Sequence, residues 1–329
     1  MSNGTESFIA IDIGGTKCAI SLADGSPRFV ERRELATREQ GGPEAVLRTL
    51  GDWAEELIAL AEGDVVTRPV AVGISSGGPL SRKRGRILGP PNLPGWEDVP
   101  IVSYFEDRLG LPTFLENDAN ASALAEWQFG AGKGFSNVIF LTFGTGMGAG
   151  LILGGKLYRG TNDLAGEVGH IRLSDTGPVG YGKSGSFEGY CSGGGLGRQG
   201  ATAAEEAASR GERCGLCPEG AAPEEITAKD VAEAARAGDP EALRIIRESA
   251  RQLGRGLAIL VDIINPERII IGSVYARSED LFRPGALQEL AKEALPGAVE
   301  ACEVVPAALR GHVGDYAALA AATSGMGES

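Results

Sequence analysis

No stretch of this chain reaches the ~18 consecutive apolar residues that a membrane span requires, and its start, MSNGTESFIAIDIGG, lacks the basic opening and long apolar run of a signal peptide. Both absences lead to the expectation of a cytosolic (cytoplasmic) protein with no membrane partner. Positive charge is also short: 31 Lys and Arg against 44 Asp and Glu leave a formal charge of −13. Nucleic-acid binding rests on neutralising phosphates with basic side chains, so nucleic acid is not an expected partner either. The one dense basic run, Arg82 to Arg86 (RKRGR), reads as the tip of a solvated hairpin. Cysteines are few, dispersed and odd in number, five in all, which argues against a disulfide framework. With only two histidines in the chain, the close pair Cys214 and Cys217 lacks the further ligands zinc would need and reads as incidental thiols in a surface loop.

Glycine is what the chain has in excess: 50 residues, about twice the usual share. At 329 residues the chain is too long for one compact core and suits two. Phe8 to Ile13 (FIAIDI) is a short apolar run ending in Gly14 and Gly15, and Cys18 to Leu22 resumes the apolar pattern: strand, tight turn, strand. A long amphipathic helix fits Pro43 to Ala61, with Val46, Leu47, Leu50, Trp53, Leu57 and Leu60 at helical spacing, and Val70 to Ile74 is the next buried strand. The same grammar returns in Val138 to Phe143 (VIFLTF), the turn GTGMGAG and LILGGK, so two domains built on one plan are expected, each turn facing a shared cleft. The boundary falls near Glu116 and Asn117. This gives an N-terminal α/β domain of residues 1–116, joined by a C-terminal helix at about 312–329, and a larger C-terminal α/β domain of residues 117–311. Residues 200 to 223 read as a helix running into a mobile loop, Pro240 to Ile264 as a long helix, Arg268 to Ile271 as a strand, and Gly314 to Ala322 as a short final helix.

GPVGYGKS at Gly177 to Ser184 spells the phosphate-loop pattern GxxxxGK[ST]. A working phosphate loop needs a strand before it and a helix opening at the lysine. His170 to Leu173 is a candidate strand, but the glycine-rich SGSFEGYCSGGG that follows Lys183 argues against an immediate helix. IDIGGTK is the better site. It ends a strand on Asp12 and exposes the backbone amides of Gly14 and Gly15 and the Thr16 hydroxyl to phosphate oxygens, while the carboxylate can hold magnesium through water. Gly144, Thr145 and Gly146 offer a second such turn. In LENDANASALAEW, Asn117 and Asp118 follow a strand and start a helix; one can cap it while the other faces a substrate.

Taken together these segments resemble the ROK family of sugar kinases and sugar-responsive repressors, in the α/β, two-domain actin-like ATPase (ribonuclease H-like) fold. The resemblance is carried, in the family's order and over almost the whole chain, by DIGGT (Asp12 to Thr16), SSGGP (Ser75 to Pro79), PPNLPGW (Pro90 to Trp96), ENDANASALAE (Glu116 to Glu126), GTGMGAG (Gly144 to Gly150), GEVGH (Gly166 to His170) and INPERIIIGS (Ile264 to Ser273). It implies a glucokinase-like enzyme that transfers the γ-phosphoryl group of Mg-ATP to a hexose hydroxyl, with glucose the first choice and N-acetylmannosamine or N-acetylglucosamine the alternatives. Asp118 would be the catalytic base, Asn117, Glu167, His170 and Glu188 partners of the sugar, and Gly78 and Asn92 part of its pocket. Asp12, Gly14, Gly15, Thr16, Lys17, Thr145, Gly146 and Gly272 would surround Mg-ATP, with Asp12 on the metal ion through water.

Two departures from the family pattern stand out. Family members follow GH with CxCGxxGCxE, whose cysteines bind a structural zinc with that histidine; here Val179, Tyr181 and Ser186 hold the cysteine positions, so no zinc site is expected, while Glu188 is kept. The family's glycine run near the adenine side becomes Gly272–Ser273–Val274, which bears on nucleotide preference. A homodimer or dimer of dimers is implied. The rivals are a sugar-sensing regulator, whose DNA-binding segment would precede a strand that here begins by Phe8, an actin-like ATPase acting on a protein, and a phosphate-loop NTPase.

Overall fold

The computed structural model describes residues 6–25, 27–62, 67–212, 214–217 and 222–328. Residues 213 and 218–221 of the helix and loop expected over 200 to 223, and residues 1–5 of the opening segment, lie outside the described residues. The chain divides into two compact units. One comprises Met1–Gly134, Arg159–Asp163 and Gly311–Ser329; the other comprises Phe135–Tyr158 and Leu164–Arg310.

In the first unit, β1 (Ser7–Ile13), β2 (Lys17–Asp24) and β3 (Phe29–Ala36) form an antiparallel meander. After α1 (Pro43–Leu60), β4 (Pro69–Ser76) lies parallel to β1. The hairpin β5 (Leu80–Ser81) and β6 (Arg86–Ile87) carries the basic run at its tip, with Arg84 and Arg86 both paired to Asp98. Then α2 (Ile101–Leu109) leads to β7 (Thr113–Asn117), and α3 (Asp118–Phe129) opens directly from it. The sheet order is β3-β2-β1-β4-β7.

β1 is apolar on both faces because both are covered, the reason such strands read as continuous rather than alternating runs. On one side α1 buries Val46, Leu47, Leu50, Ala54 and Leu57. On the other lies the C-terminal helix Val313–Glu328, whose Ala318, Leu319 and Ala322 pack with Phe8, Ala10 and Ala71. That helix lies almost on the strand. A Cβ at Gly73 of β4 would stand 2.0 Å from the Ala318 carbonyl oxygen, so only glycine fits. The helix also runs further than Gly314 to Ala322, to Glu328, and Gly325 within it leaves space for a neighbour: a Cβ there would meet the Phe114 ring at 2.2 Å.

The second unit repeats the strand plan. β8 (Val138–Phe143), β9 (Met147–Leu153) and β10 (Lys156–Tyr158) form a meander. The hairpin β11 (Val179–Gly180) and β12 (Lys183–Ser184) precedes the helices α4 (Phe187–Cys191), α5 (Gly193–Ser209), α6 (Ala228–Arg236) and α7 (Pro240–Ile264). β13 (Arg268–Ile271), α8 (Ser273–Arg277), α9 (Glu279–Glu293), α10 (Pro296–Ala301) and β14 (Glu303–Pro306) complete it, in sheet order β10-β9-β8-β13-β14. One expectation is corrected here. Val168–His170 is a single 3-10 turn, and the residues after it make one isolated bridge, Arg172 to Ser186, rather than a strand from His170 to Leu173. No helix opens at Lys183, which lies in β12; α4 starts at Phe187 and α5 at Gly193, with the Ser192 hydroxyl accepting from the Gly195 amide at 2.9 Å.

Candidate functional site

The first glycine turn joins β1 to β2. The Gly14 amide donates to the Lys17 carbonyl at 3.1 Å, and the Thr37 hydroxyl donates to the Gly14 carbonyl at 2.7 Å, holding the turn from behind. Cys18 sits beneath, its thiol pushed up to about 11 by burial, which makes it packing rather than a reactive group. Gly15 abuts the PPNLPGW loop, where a Cβ would stand 2.4 Å from the Asn92 carbonyl oxygen. Thr16 is exposed at the tip, and Lys17, also exposed, pairs with Glu34 at 3.3 Å.

Asp12, the penultimate residue of β1, lies in register with Ser75 of β4, whose hydroxyl hydrogen-bonds its carboxylate. Burial pushes that carboxyl up to about 7, the negative charges of Asp315 and Asp118 add to the rise, and Ser75 and Lys17 oppose it. The first turn of the C-terminal helix passes over it: a Cβ at Gly314 would stand 2.3 Å from Asp12 Oδ2. Asp315 is itself compensated by Arg32 at 2.9 Å.

The Asn117 side chain caps α3, accepting from the Ala119 amide at 3.0 Å and the Asn120 amide at 3.4 Å. Asp118, the next residue, is exposed, with Oδ1 accepting from the Ala119 amide at 2.8 Å. Gly77 measures the space between neighbours. Its ideal Cβ would lie 3.5 Å from Asn92 Oδ1 and 3.8 Å from Asp118 Oδ2, and one at Gly78 would lie 3.3 Å from Asn117 Nδ2. The first unit thus brings Asp12, Gly14, Gly15, Thr16, Gly78, Asn92, Asn117 and Asp118 into one neighbourhood. A cavity of about 510 Å³ opens beside it, lined among others by Gly15, Arg38, Asn92, Leu93 and Trp96.

The second unit gathers the other set. Gly144 and Thr145 offer their carbonyls to the start of α5, whose Gly193 and Gly194 amides donate to them at 2.8 and 3.2 Å. Thr145 and Gly146 stay exposed at the tip. Glu188 of α4 accepts from the Met147 amide at 3.1 Å and lies against Gly146. GEVGH folds onto the same strand: the Gly166 carbonyl accepts from the Ala149 amide at 2.8 Å, and Gly169 abuts Met147 and Glu188. Glu167 is exposed and His170 half-buried. Gly272 follows β13, its amide donating to the Leu141 carbonyl at 2.9 Å.

Val179, Tyr181 and Ser186 fall in a small self-supporting structure. Val179 begins the hairpin; Tyr181 and Gly182 form its two-residue turn, both at positive φ, 46° and 74°; Ser186 caps α4. The Tyr181 ring meets His170 edge-on at 5.0 Å, and Lys183 Nζ donates to the His170 carbonyl at 2.7 Å. Lys183 therefore lies on a hairpin strand bonded to backbone, not at a helix N-terminus, so GPVGYGKS lacks the geometry of a phosphate loop. No group of three or more His, Cys, Asp or Glu side chains placed to hold a metal ion occurs among the described residues, and no described helix is long and apolar enough to cross a membrane.

Ser75, Thr37, Asp315 and the Gly193–Gly194 pair were not singled out from sequence. Ser75 had a signal, since it sits within SSGGP; the others reach the site from distant segments.

The sequence model of the ROK family matches residues 8–324. A glucokinase of Streptomyces coelicolor is 38% identical over 275 residues, covering 83% of each chain. An N-acetylmannosamine kinase of Escherichia fergusonii is 34% identical over 272 residues, covering 82% of this chain and 84% of its own. The crystal structure of a ROK family glucokinase from Streptomyces griseus, in complex with glucose and AMPPNP, superposes with a TM-score of 0.74 at 34% identity, covering 97% of this chain and 99% of its own. The chain belongs to the ROK family and has its two-domain actin-like ATPase fold. Its kinase relatives make it a phosphotransferase of the hexokinase type.

Proposed function

We propose that the protein transfers the γ-phosphoryl group of Mg-ATP to a hexose, with glucose and its 6-hydroxyl as the acceptor. The observation that carries this reading is the convergence in the first unit of a phosphate-facing turn with an exposed carboxylate: Asp12 and Gly15 on one side, Asn92 and Asp118 on the other. The Streptomyces griseus relative, solved with glucose and a nucleotide analogue, supports the pairing of ligands.

The residues present fit a magnesium-bound nucleotide. Asp12 carries a raised pKa because it is buried and, to a lesser extent, because Asp315 and Asp118 face it, a cost that a divalent cation would relieve. A cation that keeps most of its waters and takes phosphate oxygens needs only one or two protein carboxylates. Mg-ATP supplies the transferable group and neutralises the charge that develops on it. Asp12 would hold the ion through water, the Gly15 amide and the Thr16 hydroxyl would donate to phosphate oxygens from a turn that the Gly14 amide closes onto the Lys17 carbonyl, and Lys17, Thr145, Gly146 and Gly272 would complete the nucleotide's surroundings.

Asp118 is the base in this reading. It accepts the acceptor hydroxyl's proton as the O–P bond forms, and its position as the first residue of α3 fixes its approach. Asn117, Gly78 and Asn92 orient the sugar, and Glu167, His170 and Glu188 contribute further hydroxyl contacts. A carboxylate accepts two hydroxyl hydrogens, which suits a polyol.

ADP release with Mg-ATP against glucose, mannose, N-acetylmannosamine and N-acetylglucosamine, with Asp118→Asn alongside, tests the proposal. Turnover with glucose that Asp118→Asn lowers by roughly 10²- to 10⁴-fold, with glucose binding retained, is the expected result. Preference for N-acetylmannosamine would favour the second reading, which the Escherichia fergusonii relative supports. Turnover without sugar, or none at all, would sink both.

A further inference from the structure

Beneath the Asn117–Asp118 corner lies a buried charge that the proposed chemistry does not use. Glu116 is 3% exposed. Its Oε1 accepts from the Asn117 amide at 3.1 Å and from Asn120 Nδ2 at 3.2 Å, stitching the last residue of β7 to the first turn of α3. Its Oε2 accepts from Arg159 Nε at 2.8 Å and lies 3.2 Å from Arg82 Nε. Both arginines also reach Glu328 near the end of the C-terminal helix, at 3.0 and 3.5 Å, and Arg82 donates to the Leu115 carbonyl at 3.2 Å. Helix capping by Asn117 alone would not require any of this. A carboxylate buried so deeply is tolerated only when paired and fully hydrogen-bonded. Here the pairing is supplied from two separate places in the sequence, Arg82 and the segment Arg159–Asp163, the latter belonging to the first unit although the residues before and after it belong to the second.

We propose that Glu116, clamped by Arg159 and Arg82, is the positioning residue for Asp118: it fixes the backbone from which the base projects, and Arg159 fixes it. This rests on the assignment of Asp118 as the base. A guanidinium can bind Glu116 and Glu328 at once through different nitrogens, as it does here; an ammonium on a flexible stem cannot reproduce that fork. Loss of Arg159 therefore lets Glu116 turn away and leaves the corner free to shift by the fraction of an ångström to which a proton acceptor is sensitive.

The test is steady-state kinetics of Arg159→Lys and Arg159→Met, each also built on Asp118→Asn, with urea unfolding of every variant. The expected order of kcat is wild type, then Arg159→Lys lower by ~3- to 10-fold, then Arg159→Met lower by ~10- to 100-fold, with the sugar KM moving less than ~3-fold. On the Asp118→Asn background, Arg159→Met should add less than ~2-fold, because the group it positions is gone. Should Arg159→Met fail to fold, Arg159→Lys, which keeps the charge and one donor, carries the test. Unchanged kcat, or a loss that recurs in full on Asp118→Asn, would overturn this inference alone. A wild-type protein without sugar-dependent turnover, or an Asp118→Asn variant that keeps it, would remove the assignment of the base and this inference with it.

Discussion

The two glycine turns are alike in local sequence and unlike in what stands behind them. IGGT at the end of β1 and GTGM at the end of β8 each join antiparallel strands at the start of a five-stranded sheet with the same order of directions. The first is set among charges: Asp315 and Asp118 add to the cost that burial imposes on charging Asp12, and the turn closes on itself and on Thr37. The second has no carboxylate before it. It is braced by the amides of Gly193 and Gly194 at the head of α5 and by Glu188 on the Met147 amide. In the proposed function the first turn meets a cation, at some expense to the folded state, whereas the second is held by backbone hydrogen bonds. That division follows from the tertiary partners, since either turn in isolation is a glycine hairpin.

Removing the charge from the first turn should give the largest effect. Asp12→Asn is expected to lower kcat by roughly 10²- to 10³-fold while leaving a folded protein, measured by ADP release and its Mg2+ dependence. The same variant sharpens the comparison in stability. The folded-state pKa of Asp12, about 7, lies above the ordinary aspartate value of 3.8. Without ligand, its contribution is therefore fully present below pH 4 and is lost as pH rises through about 7. Urea midpoints should show Asp12→Asn more stable than wild type at pH 8, by about 1–3 kcal/mol, and indistinguishable near pH 4. No variant confined to the second turn should change the pH slope; one that did would break the contrast.

The next pair swaps charge for space. A Cβ at Gly15 would press the Asn92 backbone at 2.4 Å, and one at Gly194 would press the Thr145 carbonyl at 2.4 Å. Gly15→Ala displaces the phosphate turn and the sugar loop together, so both KM values should rise and kcat/KM fall by about 10- to 100-fold. Gly194→Ala should raise the nucleotide KM by about 10-fold and leave the sugar KM alone. Equal effects on both substrates from the second variant would show that the turns do not divide the work in this way.

What was legible in the sequence follows from where the information sits. FIAIDI, VIFLTF and the helix from Pro43 carry their own periodicity, and α1 ends at Leu60, one residue from the expected Ala61. The motif residues were visible because they lie in short runs. Asp315 beside Asp12, Thr37 behind Gly14 and Gly193 behind Gly144 were not, because each contact joins segments far apart in the chain and no local pattern announces it. Glycine misled for the same reason at the final helix, which runs to Glu328 rather than ending at Ala322. Its weak helix propensity is a local property, whereas Gly193, Gly194 and Gly325 are set by a neighbouring backbone or ring that needs the room.

Ser273 is where the second turn's surroundings depart from this economy of glycine. It follows Gly272 and opens α8 with φ of 51°, a left-handed conformation that costs a side-chain-bearing residue roughly 1–2 kcal/mol. Glycine would adopt it freely but loses more entropy on folding, about 0.4–1 kcal/mol. Ser273→Gly should therefore raise stability by only about 0.5 kcal/mol in urea titration. Val274, next in the chain, borders Gly193, so the same relaxation reaches the brace behind Gly144. A nucleotide KM that falls along with the gain in stability would mean that the strain at Ser273 is transmitted to the turn; a gain in stability with an unchanged KM would confine it to α8 and leave the stiffness of the second turn to α5 and Glu188.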